Sequence, residues 1–141
     1  MAAMSDYLED LVLNACLGVN DTYALGAMIM EDVYLALYTV APNDAGGGTE
    51  VPVANNYERK RVQNNSGDNE WDDAVGGLKK NTIVLSFLEA SGSWGTITHV
   101  GIHNHATAGQ LLFHGALNTP KTVGSGDTFS FGIGDLQITL T

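Results

Sequence analysis

The sequence has few cysteines and few basic residues, and it lacks long apolar runs. Its single cysteine, Cys16, excludes a disulfide within the chain and a cysteine-rich zinc site. Six lysines and arginines against 16 acidic residues give a net charge of −10. This disfavours direct binding to nucleic acid, because such binders usually carry a basic face. No apolar run approaches the roughly 20 residues that span a bilayer, so no membrane partner is expected.

The first residues lack the charged and apolar regions of a secretory signal. Together with the scarcity of cysteine, this predicts that the protein matures in a reducing cytoplasm.

Glycine is abundant, with 17 residues, which fits a chain of many turns and short strands. Residues 93–141 contain runs rich in β-branched and aromatic residues, separated by Gly, Asn, Asp and Pro. This pattern is typical of consecutive short strands. Phe129 and Phe131 alternate with polar residues, as in a strand with one buried side. The sequence therefore predicts an all-β core of about eight short strands.

Three earlier segments also have strand character. Residues 33–40 carry apolar groups on both faces, which predicts a central strand buried on both sides. Residues 57–62 predict a strand with a charged face, and residues 81–88 predict another. Between these two strands, residues 64–77 form a polar, acidic excursion without the spacing of a calcium-binding loop. Trp71 is expected to anchor this excursion on the core or on a partner.

The N-terminal region predicts a short amphipathic helix. Ser5 or Asp6 can cap its beginning, and Gly18 can end it. Two roles remain open for the helix: it covers the open end of the sheet, or it is an arm that packs on a neighbouring subunit. We predict a helix or arm with an apolar loop over residues 1–32, followed by one globular β domain over residues 33–141.

The histidines are the main candidates for chemistry. His99, His103 and His105 share strand parity, and cupin-type jelly rolls bind metal through a similar His-x-His pair. In those proteins a carboxylate follows, but here residues 106–109 lack one and predict a hairpin tip. We therefore expect His103 and His105 to be exposed and no metal or cofactor to be bound. No nucleophile elbow of the Gly-x-Ser-x-Gly type is present, and we predict that the protein is not an enzyme.

Both ends of the chain contain strings that can be compared with known families: residues 5–9, 33–38, 46–51, 93–102, 111–117, 119–123 and 126–131. Together these strings resemble small tailed-bacteriophage virion proteins, which are often labelled tail-fibre or decoration proteins. The resemblance implies a β-sandwich, jelly-roll-like, that assembles as a homotrimer on the virion.

From this resemblance we predict a capsid decoration, or cement, protein on the outer capsid surface, assembled in the host cytoplasm. Its partners would be further copies of itself and the major capsid protein, and its trimers would reinforce the head shell. The predicted interface residues come from the N-terminal segment and from the basic run: Tyr7, Leu8, Leu11, Tyr57, Arg59 and Arg61.

Two alternatives remain open. The first is a tail-fibre or spike module that binds host-surface glycans, with exposed Tyr57, Trp71 or Trp94 stacking on sugars. The second is a metal-dependent jelly-roll enzyme that uses the three histidines. Copy number on the virion separates decoration from the fibre, and bound metal tests the enzyme.

Overall fold

A computed structural model describes residues 3–17, 32–63 and 70–140. Residues 18–31, which include most of the predicted apolar loop, residues 64–69 of the acidic excursion and the side chain of Cys16 lie outside this description. In chain order the elements are β1 (Ala3–Met4), α1 (Asp6–Leu17), β2 (Asp32–Val40), β3 (Thr49–Glu50), β4 (Lys60–Gln63), β5 (Leu78–Lys80), β6 (Leu85–Ser86), β7 (Gly95–His103), β8 (Leu111–Val123), β9 (Ser130–Phe131) and β10 (Gln137–Thr139).

The strands form one large sheet and two small ones, and all the named strand pairs are antiparallel. The large sheet has the order β1-β8-β7-β2-β3, with β4 also pairing with β2. The small sheets are β10-β5 and β6-β9. None of the sheets closes into a barrel, and residues of all three sheets share one core. This confirms an all-β, sandwich-like fold, with ten strands in the described part of the chain.

Strand β2 lies in the middle of the large sheet, as predicted. Leu35 and Leu37 are fully buried in the common core. Ala36 and Tyr38, which alternate with them, are buried on the opposite face. The apolar run on both faces therefore reflects burial on both sides.

The helix α1 covers the sheet of its own chain. Ser5 caps it: its hydroxyl accepts the Leu8 amide at 3.4 Å, and its carbonyl accepts the Glu9 amide at 3.0 Å. Leu8 and Leu11 lie in the core, so this face of the helix covers the sheet. Tyr7 is exposed. Among the described residues, no helix is long and apolar enough to cross a membrane.

The strand predicted over residues 57–62 begins only at Lys60. Asn55 and Asn56 immediately precede the segment with positive φ angles of 53° and 66°. This left-handed turn directs the chain so that Tyr57 enters the core before pairing with β2 begins.

The strand predicted over residues 81–88 is reduced to Leu85–Ser86. The buried Asn81 side chain donates to the carbonyls of Ile83 at 2.6 Å and Gly132 at 2.8 Å. These side-chain bonds replace a ladder and turn the chain. Consequently Ile83 is exposed instead of sharing a buried face with Leu85.

The pairing between β7 and β8 contains a large irregularity. His99 pairs with Ala116, but Ile97 pairs with Lys121. Residues 117–120 of β8 therefore lie opposite the single residue Thr98. Such a bulge bends the strand away from its partner and re-aims its side chains, and here it shapes one wall of a surface groove.

Candidate functional site

The aromatic residues predicted to stack on sugars are buried, and that prediction is wrong. Tyr57, Trp71 and Trp94 are only 2%, 4% and 4% exposed. Trp94 packs edge-on against Tyr57 with ring centroids 5.3 Å apart, and its Nε1 donates to the Asn55 carbonyl at 2.9 Å. Trp71 belongs to the common core, which confirms its anchoring role on the core side.

The histidines do not converge on a metal site. His103 is 6% exposed, which contradicts the predicted exposure, because the Tyr38 side chain and the polar residues beside it cover it. His105 is exposed beside a hairpin tip over residues 106–109, as predicted. His99 Nδ1 lies 2.8 Å from Thr98 Oγ1. Within the described ranges, no three metal-ligating side chains cluster.

His103 belongs instead to a buried polar network formed by Tyr38, Glu50, Tyr57, Arg59 and His103. Arg59 Nε and Nη2 donate to the two carboxylate oxygens of Glu50 at 2.9 and 2.7 Å. Tyr57 Oη donates to Glu50 at 3.1 Å and accepts the Leu37 amide at 2.9 Å. Tyr38 Oη and His103 Nε2 share a hydrogen bond of 2.7 Å. The bonds of Tyr57 join β3 to β2, and the Tyr38–His103 bond joins β2 to β7. The charges of Glu50 and Arg59 act on His103 across the short distance between the two groups.

Arg59 also fastens the hairpin tip between β7 and β8. Its Nη1 donates to the carbonyls of His105 at 2.9 Å and Ala108 at 2.8 Å. The guanidinium side chain is only 9% exposed. One side chain therefore joins β3, the chain before β4 and a turn some 46 to 49 residues further on.

Burial sets the protonation of the network. It raises the pKa of Tyr38 to about 12, with the negative charge of Glu50 adding to the effect. Burial likewise raises the pKa of Tyr57. Burial and the neighbouring Arg59 lower the pKa of His103 to about 4. At neutral pH the network therefore contains two neutral phenols, a neutral imidazole and one ion pair.

The buried imidazole predicts a loss of stability in mild acid. The unfolded chain takes up a proton at His103 near pH 6.5, whereas the folded chain does so only near pH 4. Because the unfolded state binds more protons between these values, the free energy of unfolding falls as pH drops from about 6.5 to 4. Urea unfolding of wild type and His103→Gln between pH 7 and pH 4.5 measures this. As pH falls, the free energy of unfolding of wild type should decrease more than that of the variant. If the two free energies decreased in parallel with pH, the assignment to His103 would be wrong.

The predicted interface residues divide between core and surface. Three of the six lie in the common core of the chain itself: Leu8, Leu11 and Tyr57. Arg59 is occupied within the buried network. Tyr7 is 43% exposed, and the Arg61 side chain is 52% exposed beside Asp32, with an ion-pair distance of 2.7 Å. That these residues form a subunit interface stays a prediction. Of the six, Tyr7 and Arg61 are exposed enough to contact another subunit.

A surface groove lies between β8 and the segment that carries β9 and β10, with a volume of about 350 Å³. Val100 and Ile102 of β7 lie at its base, and the half-buried Leu117 and Ile138 line its sides. This volume falls within the range of roughly 300–1,000 Å³ typical of ligand pockets. The groove was not predicted from the sequence. The one available signal was the string of Asn118, Thr119 and Pro120 inside an otherwise regular strand pattern.

The rim of the groove is polar and largely uncharged. It includes exposed side chains from the bulge of β8 and from the facing segment: Asn118, Thr119, Ser130 and Gln137. Lys121 and Asp135 add one charge of each sign. Phe113, Phe129 and Phe131 also line the groove. Such a mixed surface, apolar below and hydrogen-bonding above, can hold a small polar ligand against its apolar base.

Comparison with known proteins assigns the chain to a family. No curated protein gives a significant match. Residues 3–139, almost the whole chain, match a family model described as Podophage GP4 fiber I protein gp80. This confirms the resemblance to phage virion proteins and identifies the tail-fibre type within it. The chain therefore belongs to the podophage GP4 fiber I protein gp80 family and is a structural protein of the phage virion.

Proposed function

We propose that this protein is a non-catalytic module of a tail fibre that contacts glycans on the host surface. The observation that carries the proposal is the match of residues 3–139 to a phage fibre family. The alternative of a fibre module therefore replaces capsid decoration as the favoured function, because the matched family is described by a fibre and not by a head protein.

The structure supports a binding role through its rigidity. Arg59 holds the hairpin tip to the large sheet, and ring contacts of Phe87 with Tyr57 and Trp94 join the chain after β6 to the large sheet. A rigid scaffold that presents a preformed groove loses little conformational freedom when a ligand binds. Self-association as a homotrimer is part of the proposal, with Tyr7 and Arg61 as its exposed candidate contacts.

Location and copy number on the virion test this function. We expect gold-labelled antibodies against the protein to decorate the tail, and quantitative mass spectrometry to find few copies relative to the major capsid protein. Particles stripped of the protein should keep their heat resistance and lose adsorption to host cells. The major capsid protein serves as the internal standard. Labelling spread over the head at high copy number, with lower heat resistance after stripping, would favour capsid decoration instead.

A further inference from the structure

We propose that the groove between β8 and the β9–β10 segment is a binding site for a neutral saccharide. The inference rests on the proposed function and deepens it, because it assigns the glycan contact to particular residues. The groove takes the role that was predicted for Tyr57, Trp71 and Trp94, because these buried side chains cannot contact a sugar.

The bulge in β8 creates the polar wall of this site. In a regular ladder, residues 117–120 would pair with β7, but four residues here lie opposite Thr98 alone. The excess length places Leu117 in the wall of the groove and Asn118 and Thr119 on its exposed rim. Bulges are frequent beside functional sites for this reason.

The rim has hydrogen-bonding capacity that the described part of the chain leaves unused. The side chains of Asn118, Thr119 and Ser130 have no hydrogen bond to another described residue. Gln137 donates through Nε2 to the Gly134 carbonyl at 2.9 Å, which leaves its side-chain oxygen as an acceptor. Amides and hydroxyls both donate and accept, as the hydroxyl groups of a sugar do. The rim is therefore complementary to a ligand rich in neutral hydroxyls.

Charge selects against anionic ligands. Lys121 and Asp135 both line the groove and carry opposite charges, and the whole chain carries a net charge of −10. A phosphorylated or acidic glycan would meet repulsion from the protein field. Leu117 and Ile138 can contact the C–H face of a sugar ring. Of the aromatic residues that line the groove, Phe113 is half-buried and Phe129 and Phe131 are buried. Because none of them presents an exposed ring face, we expect weak binding per site, with a dissociation constant on the order of 1 mM, strengthened by multiple copies on the fibre.

A strand from a second copy is the competing occupant, and the groove is poorly suited to it. Strand addition needs a regular edge of free amide and carbonyl groups. Here the bulge interrupts the edge at residues 117–120, and Pro120 lacks an amide proton. Lys121, directly after the bulge, adds a charge to this edge, which is a usual protection of exposed edges.

The test begins with the intact protein on a microarray of neutral and anionic bacterial glycans, followed by methyl NMR with the neutral glycan that binds best. We expect binding to neutral glycans and shifts of the Leu117 and Ile138 methyl signals on titration. The double variant Thr119→Val/Gln137→Leu should bind about tenfold more weakly, because two side-chain hydrogen bonds are lost. The matched control Thr107→Val/Gln110→Leu, exposed at the hairpin tip, should bind like wild type. Thermal unfolding of all proteins confirms the fold.

Several results would overturn the site. They are an absence of neutral glycan binding, preferential binding of anionic glycans, and equal binding by the groove variant and wild type. Shifts of the groove methyl signals on raising protein concentration, without sugar, would assign the groove to a second copy. Equal binding by the groove variant would leave the fibre function intact and move the glycan elsewhere. Failure of the fibre function appears separately, as labelling of the head in virions.

Discussion

Replacing Arg59 with methionine is expected to lower the free energy of unfolding by about 2–4 kcal/mol. The substitution removes the two hydrogen bonds that Arg59 donates to the Glu50 carboxylate and the two that it donates to the hairpin tip at His105 and Ala108. Glu50 would keep only the Tyr57 hydroxyl. Breaking one partner of a buried ion pair is costly because the other charge is left without compensation. The Glu50 side chain is 24% exposed, so water reduces the cost below that of a fully buried pair. Urea denaturation at pH 7 measures it.

Three related variants separate the causes. Arg59→Lys keeps the charge but cannot reproduce the planar fork, so its effect should be intermediate. The double variant Glu50→Met/Arg59→Met should be more stable than Arg59→Met, because no unpaired charge remains. Arg61→Met removes an exposed ion pair with Asp32 and should change stability much less. If Arg59→Met and Arg61→Met were equally mild, the network would contribute little to the fold.

The contrast between these two arginines shows where sequence analysis stops. Residues 59–61 form one basic run, and the sequence predicts a single role for it. In the structure Arg59 turns inward toward Glu50, whereas Arg61 lies exposed within β4. The partners of Arg59 are nine residues before it and nearly 50 residues after it. Such pairings depend on the order of strands, which local patterns do not encode.

Local patterns succeed where burial follows strand alternation. Phe129 and Phe131 share a buried face, as their spacing predicts, and β2 is buried on both sides. Local patterns fail where a side chain competes for the hydrogen bonds between strands. The Asn81 side chain binds the Ile83 and Gly132 carbonyls, and the strand then begins only at Leu85. The groove escapes prediction for a related reason. It depends on the register between β7 and β8, and the length of a bulge is decided by two strands together.

The exposed positions predicted for Tyr57 and Trp94 fail because their neighbours in space are distant in sequence. Tyr57 lies among polar residues in the chain, yet its ring stacks on Phe87 with centroids 6.2 Å apart. Trp94 follows a turn and packs against the same ring at 6.5 Å. Phe87 therefore lies at the centre of the aromatic cluster, in contact with Tyr57, Trp94 and Phe129.

Replacing Phe87 with alanine is expected to be at least as damaging as the loss of Arg59. Phe87 is 5% exposed and contacts Tyr57, Trp94 and Phe129, the last edge-on at 5.9 Å. Truncation leaves a cavity beneath three rings that cannot close without moving separate strands. The expected cost is about 3–5 kcal/mol, which for a domain of this size lowers the melting temperature by roughly 10–20 °C.

Thermal unfolding followed by near-ultraviolet circular dichroism measures both stability and ring packing. In the folded variant the aromatic signal should weaken, because Tyr57 and Trp94 lose the ring that fixes their orientation. The adjacent Leu88→Ala provides the matched control: Leu88 is 47% exposed, and surface truncations usually stay within about 0.5 kcal/mol. Phe87→Leu fills part of the cavity and should fall between the two. A melting temperature for Phe87→Ala close to that of Leu88→Ala would mean that the aromatic cluster is not what holds the small sheets against the large one.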